Sequence, residues 1–142
     1  MNKIVISIGS NGRCRESNVE QCLEFLRLRF SEARFSTVYN TPASNGRDAD
    51  YLNVVMEGTC SDDFDKTKSL LKLYEATHGR TPACKLAGLV PIDLDIVMWN
   101  GEVVRQRDFN QDYFQIGWKQ LHKCESPTFS TAVFLWKHRR RF

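Results

Sequence analysis

Pro91-Ile92-Asp93-Leu94-Asp95-Ile96-Val97-Met98-Trp99-Asn100-Gly101-Glu102-Val103-Val104 is the stretch on which the reading of the fold turns. Residues 92–99 begin with strict alternation of apolar and acidic side chains and continue β-branched and aromatic, the pattern of a strand. Asn100-Gly101 is the dipeptide favoured by type I′ hairpin turns, so residues 102–104 are expected to pair back. In a strand, positions i and i+2 point the same way. Ile92, Leu94 and Ile96 therefore face one side, and Asp93 and Asp95 the other, roughly 6–7 Å apart along the pleat. Two carboxylates so placed can hold cations between them. Magnesium typically takes one or two carboxylates, with water and substrate phosphates completing its octahedron. The plainer alternative is an edge strand carrying solvated charge.

Upstream of this strand, residues 80–91 contain Pro82, Gly88 and Pro91 with little periodicity, a loop long enough to suspect function. Before it, Ser61-Asp62-Asp63 opens a helix with acidic residues in the first turn. Phe64, Thr67, Leu70, Leu71, Tyr74 and Glu75 keep a 3–4 spacing, and His78-Gly79 closes it. Residues 51–59 and 33–40 read as strands, with a loop over 41–50 between them. Val19, Cys22, Leu23, Leu26 and Phe30 mark a helix over 18–30, and Ser17-Asn18-Val19-Glu20 matches a capping box. Residues 2–8 alternate, with Ile4, Ile6 and Ile8 on one face; Gly9-Ser10-Asn11-Gly12 ends the strand, with Gly9 serving a tight turn. The order is β-α-β-β-α-β. It predicts an α+β fold, a ferredoxin-like βαββαβ sheet with an added hairpin strand and helices packed on one face. Residues 113–121 read as a further helix, and residues 128–136 as either helix or strand.

A chain of 142 residues suits a single domain spanning 1–142. With 42% hydrophobic and 26% charged residues, global disorder and collagen-like or coiled-coil architectures are excluded. The net charge of +3 suits an anionic small molecule. It is too small to argue for nucleic acid, although Lys137-His138-Arg139-Arg140-Arg141 keeps a nucleic-acid-binding module as a third, minor class. Apolar runs are strand-length, which predicts no membrane span and no secretory signal. Five cysteines, odd in number and without a C-x-x-C, read as free thiols in a reducing cytoplasm.

Five motifs together resemble 6-hydroxymethyl-7,8-dihydropterin pyrophosphokinase, an enzyme family of folate biosynthesis. They are Ile8-Gly9-Ser10-Asn11, Tyr39-Asn40-Thr41-Pro42, Asp50-Tyr51-Leu52-Asn53, Glu75 with Gly79-Arg80, and Asp93-Leu94-Asp95-Ile96. The resemblance implies transfer of a diphosphate from ATP to the hydroxymethyl oxygen of the pterin, releasing AMP. Asp93 and Asp95 would bind two Mg²⁺ ions, with Arg80 beside them in the catalytic loop. Glu75, Arg80, Lys85, Ile96 and Tyr113 would meet ATP, and Thr41, Pro42, Tyr51, Asn53 and Trp118 would line the pterin pocket. A monomer or weak dimer acting on small molecules is expected, and a family member that binds pterin or nucleotide without turnover is the alternative.

The chain departs from the family pattern in its cations. Where the family places an aromatic-Gly-Pro-Arg-Thr run, this chain has Ala87-Gly88-Leu89-Val90-Pro91. A second loop arginine is replaced at Pro82, and Asp112-Tyr113 and Ile116 stand where a His-Tyr pair and an arginine are expected. Each lost guanidinium removes a bidentate phosphate contact. Lys85 is the favoured replacement, ahead of Lys119 or the basic C-terminal residues.

Overall fold

The structure, a computed structural model, describes residues 1–79 and 81–122. Arg80, the segment 128–136, Cys124 and the basic stretch 137–141 lie outside the described residues.

Alternation carries β1 through Asn2–Ser10, two residues beyond the sequence expectation. Gly9 is thus an ordinary strand residue and not part of a tight turn, its place in the ladder fixed by pairing on both sides. Helix α1, Arg15–Arg29, begins earlier than expected. The amide of Asn18 already donates to the Cys14 carbonyl (2.8 Å), so Ser17 and Glu20 sit inside the helix and form no capping box. The Ser17 hydroxyl is instead within 3.4 Å of Gln21 Nε2.

The expected strand over 33–40 is two strands, β2 (Ser31–Phe35) and β3 (Tyr39–Thr41). Ser36 makes the break: its amide donates to the Val55 carbonyl, while its hydroxyl accepts from the Val55 amide at 2.9 Å in place of a backbone acceptor. Both strands pair with β4, Tyr51–Cys60. Helix α2, Phe64–Thr77, is capped by Asp63, whose carboxylate accepts from the Lys66 amide, and it ends before Gly79 at φ +94°. The presumed loop 80–91 contains a short helix, α3 (Pro82–Leu86), capped by Thr81. Strand β5 is Asp93–Trp99, and Asn100 and Gly101, both at positive φ, make the expected hairpin turn into β6, Glu102–Val103. A four-residue helix α4 (Gln106–Phe109), with no periodicity to announce it, precedes α5, Asp112–Leu121.

Among the described residues the sheet has six strands, all antiparallel, in the order β2-β4-β1-β5-β6, with β3 beside β2's neighbour β4. This is the ferredoxin-like βαββαβ arrangement with its added hairpin strand. Ile4, Ile6, Ile8, Val54, Met56, Leu94 and Ile96 form the main core under α1 and α2, which contribute Val19, Leu23, Leu26 and Leu71. The other face is covered by α5, which packs Phe114 and Leu121 on Val5, Val55 and Val97. Gly117 permits that approach, because a Cβ there would come within 2.6 Å of Val55 and 2.8 Å of the Tyr39 hydroxyl.

Candidate active site

The α5 side of the sheet is only partly covered, and the uncovered part is where polar residues gather. Antiparallel register sets Asp93 opposite Gly9, Gly9 opposite Asn53 and Asn53 opposite Tyr39, one row across four strands. The next row on that face is Asp95, Ser7 and Val55. Because the middle strand offers only glycine and serine there, the face is hollow. A cavity of about 330 Å³ forms, lined by Ser7, Gly9, Asn53, Asp93 and Asp95 of these rows together with Thr41, Pro42, Asp48, Tyr51 and Tyr113.

Asn11 fixes the loops that rim it. Its buried carboxamide donates to the Ala49 carbonyl (3.1 Å) and the Gly88 carbonyl (3.0 Å), and accepts from the Val90 amide (2.6 Å). On the cavity floor Asn53, 3% exposed, donates through Nδ2 to Thr41 Oγ1 at 2.6 Å. Tyr113 enters from α5, its hydroxyl held by Asp108, which also accepts from Arg105. Burial and the Asp108 carboxylate keep that phenol protonated well above its usual range.

The paired carboxylates are electrostatically crowded. Burial first, and then the Asp93 charge, push Asp95 up to about 6, against the pull of Lys72. Asp93 is raised as well, by burial and the Glu75 charge, partly offset by a hydrogen bond shared with Asp95. Two partly buried acids that resist joint ionisation form a site a divalent cation would relieve. Among the described residues no three His, Cys, Asp or Glu side chains cluster, so the protein would supply two carboxylates. That donor number suits magnesium, which keeps water and phosphate oxygens.

Asp95 is also a wall of a second cavity, of about 130 Å³, on the α2 side. Leu71, Leu94 and Ile96 give it apolar surface, and Lys72 and Arg105 give it charge. A β-bulge builds the approach of Arg105. Val5 pairs with Met98 and Ile6 with Ile96, leaving Val97 as the extra residue, and its carbonyl accepts from the amides of Val104 (2.8 Å) and Arg105 (3.4 Å).

The family model for 7,8-dihydro-6-hydroxymethylpterin-pyrophosphokinase matches residues 5–123. The chain belongs to this pyrophosphokinase family. No curated relative matches the chain. The family is a pyrophosphokinase of folate biosynthesis that uses ATP and Mg²⁺ on small substrates. No helix among the described residues is long and apolar enough to cross a membrane, and the four described cysteines are free.

In this pyrophosphokinase-family chain, the structure brings Asp93, Asp95, Thr41, Pro42, Tyr51, Asn53 and Tyr113 around one cavity, and Ile96 to the second. Trp118 is not brought there; it packs with Phe109, Phe114 and His122, its ring centroid 3.7 Å from that of His122. Lys85 is exposed on α3 and lines neither cavity. Glu75, 4% exposed, turns into the α2–β5 seam, where it accepts from the Leu94 amide (2.6 Å) and Lys72 (3.1 Å). Sequence reading passed over Ser7, Asp48, Lys72, Arg105 and the clamp made by Asn11. The odd-numbered face of β1, Val5-Ser7-Gly9, shrinking along the strand, was a signal for the hollow.

Proposed function

We propose that the chain transfers a diphosphate from ATP to the hydroxymethyl oxygen of 6-hydroxymethyl-7,8-dihydropterin. In the step, that oxygen bonds to the β-phosphorus, the bond from the β-phosphorus to the α–β bridging oxygen breaks, and AMP departs with that oxygen. The hydroxyl gives up its proton as the new bond forms. The observation that carries the reading is the shared wall: Asp95 faces both cavities, so occupants of the two would meet at the carboxylate pair.

In this reading the pterin occupies the larger cavity. Asn53 and Thr41 meet its hydrogen-bonding edge, Tyr51 and Pro42 flank the ring, and Tyr113 closes the phosphate side. Asn53 suits that task because a carboxamide offers both donor and acceptor. The nucleoside lies against Ile96 and Leu94 in the smaller cavity, and Arg80 and Lys85 reach the phosphates from the loop 80–91. Asp93 and Asp95 hold magnesium, two ions in full occupancy. Magnesium bound there would neutralise phosphate charge, and the chain's own contribution is positioning, which is most of what phosphoryl-type transfer demands. The second reading, binding without turnover, draws on one observation. Asp48, Asp93 and Asp95 line the larger cavity and, among the described residues, no lysine or arginine does.

AMP release from ATP and 6-hydroxymethyl-7,8-dihydropterin, with and without Mg²⁺, decides between them. Metal-dependent AMP formation supports transfer. Metal-dependent calorimetric binding of pterin and an ATP analogue without AMP supports the binding protein.

A further inference from the structure

We propose that Lys72 and Arg105 receive the phosphate chain of the nucleotide, with Glu75 and Asp108 holding them in place. The inference deepens the nucleotide reading above and rests on it.

Lys72 lies on α2 and Arg105 on the segment after β6, so two separate elements deliver cations to one carboxylate. The Lys72 ammonium is 3.2 Å from Asp95 Oδ1, and Arg105 is 4.0 Å from that oxygen. Each cation is also anchored from behind. Lys72 donates to Glu75 Oε2 (3.1 Å) and the Leu94 carbonyl (2.9 Å), and Arg105 donates through Nε to Asp108. A lysine held by three acceptors has lost most of its rotamer freedom before any ligand arrives, which lowers the cost of binding.

Both side chains nevertheless remain partly open to solvent, 41% and 48% exposed. Lys68 adds a third cation to the same cavity, where Asp95 is the only acid among the described residues that line it. The apolar wall of Leu94 and Ile96 continues directly into this positive mouth. An anion attached to an apolar or aromatic body fits such a surface, and a phosphate chain would take over the Lys72 donor now given to Asp95, together with the Arg105 guanidinium nitrogens that Asp108 does not hold, through charge-assisted hydrogen bonds.

The test is calorimetry in magnesium buffer with three probes: adenosine, inorganic tripolyphosphate and a non-hydrolysable ATP analogue. K72Q and R105Q should each weaken tripolyphosphate and the analogue by about tenfold or more, the scale of a charge-assisted hydrogen bond, and leave adenosine within about twofold. K72R should recover part of the loss. Arg105 is at the surface, so R105Q reports even where K72Q disturbs folding by removing the cation beside the buried Glu75. Wild-type affinity for the polyphosphate probes in both variants, or an equal loss for adenosine, overturns the proposal. A wild-type chain that turns over while both variants keep its ATP affinity removes this inference alone. A wild-type chain that binds tripolyphosphate through these cations yet releases no AMP removes the transfer reading alone.

Discussion

Two adjacent rows of the same ladder behave as different materials. Leu94, Ile8 and Val54 lie side by side across β5, β1 and β4 and are wholly buried under α1 and α2. One residue along each strand, Asp93, Gly9 and Asn53 lie side by side on the other face and line a cavity. The backbone hydrogen bonding is shared, so the difference lies in which side chains the pleat sends each way. A strand can therefore serve as rigid scaffold and chemical surface at once, the packed row setting the precision of the open one.

Four measurements test that division. The open row should dominate chemistry: Asp93→Asn or Asp95→Asn is expected to cut AMP formation at least a thousandfold, about 4 kcal/mol in the barrier. Near-wild-type turnover in either would detach the carboxylates from the reaction. The packed row should dominate stability, and Leu94→Ala, between the two aspartates, is expected to cost about 3 kcal/mol in urea unfolding. A loss near zero would mean that the two faces are not distinct.

The third test concerns the crowding of the acids. Asp95 is raised from 3.8 to about 6, so the native state binds this proton more tightly than the unfolded chain does. Metal-free protein should then lose stability as pH rises from about 4 through about 6, by about 2 kcal/mol, and Asp95→Asn should remove that loss. Urea titrations across that range read it directly; parallel pH curves for wild type and variant would show that the fold does not strain this carboxylate. The smallest effect is at the covered end of the open face. Tyr39→Phe deletes the hydroxyl that donates to the Tyr113 carbonyl and accepts from the Gly117 amide, at a cost of about 1 kcal/mol. Unchanged stability there would place the anchoring of α5 in its other contacts, the packing of Phe114 and Leu121 foremost.

Much of the scaffold was legible because it is periodic. Ile4, Ile6 and Ile8 announced a face, and the Asp-x-Asp spacing announced its opposite. The capping box at Ser17 misled because the four-residue pattern does not say where a helix begins; the Asn18–Cys14 hydrogen bond does. The break at Ser36 was invisible because a serine hydroxyl replaced a backbone acceptor without disturbing the β-rich composition. Lys72 and Arg105 could not be read at all. Their meeting at Asp95 depends on the bulge at Val97 and on the seating of α2 against β5, properties of tertiary register that no local spacing encodes. Trp118 stands after Gly117 as the family pattern has it, and its packing against Phe114 of its own helix and Phe109 of α4 is likewise a matter of tertiary placement.

The clamp made by Asn11 has a consequence for how such a chain can change. Its carboxamide grips only main-chain atoms of residues 49, 88 and 90; Gly88, at φ +70° with Asp48 against its α-carbon, must stay glycine, but the grip is indifferent to the side chains at 49 and 90. Substitutions along the rim can accumulate there without loosening the rim itself. A chain built this way is free to exchange the ionic lining of its loops and still present the same mouth to a substrate.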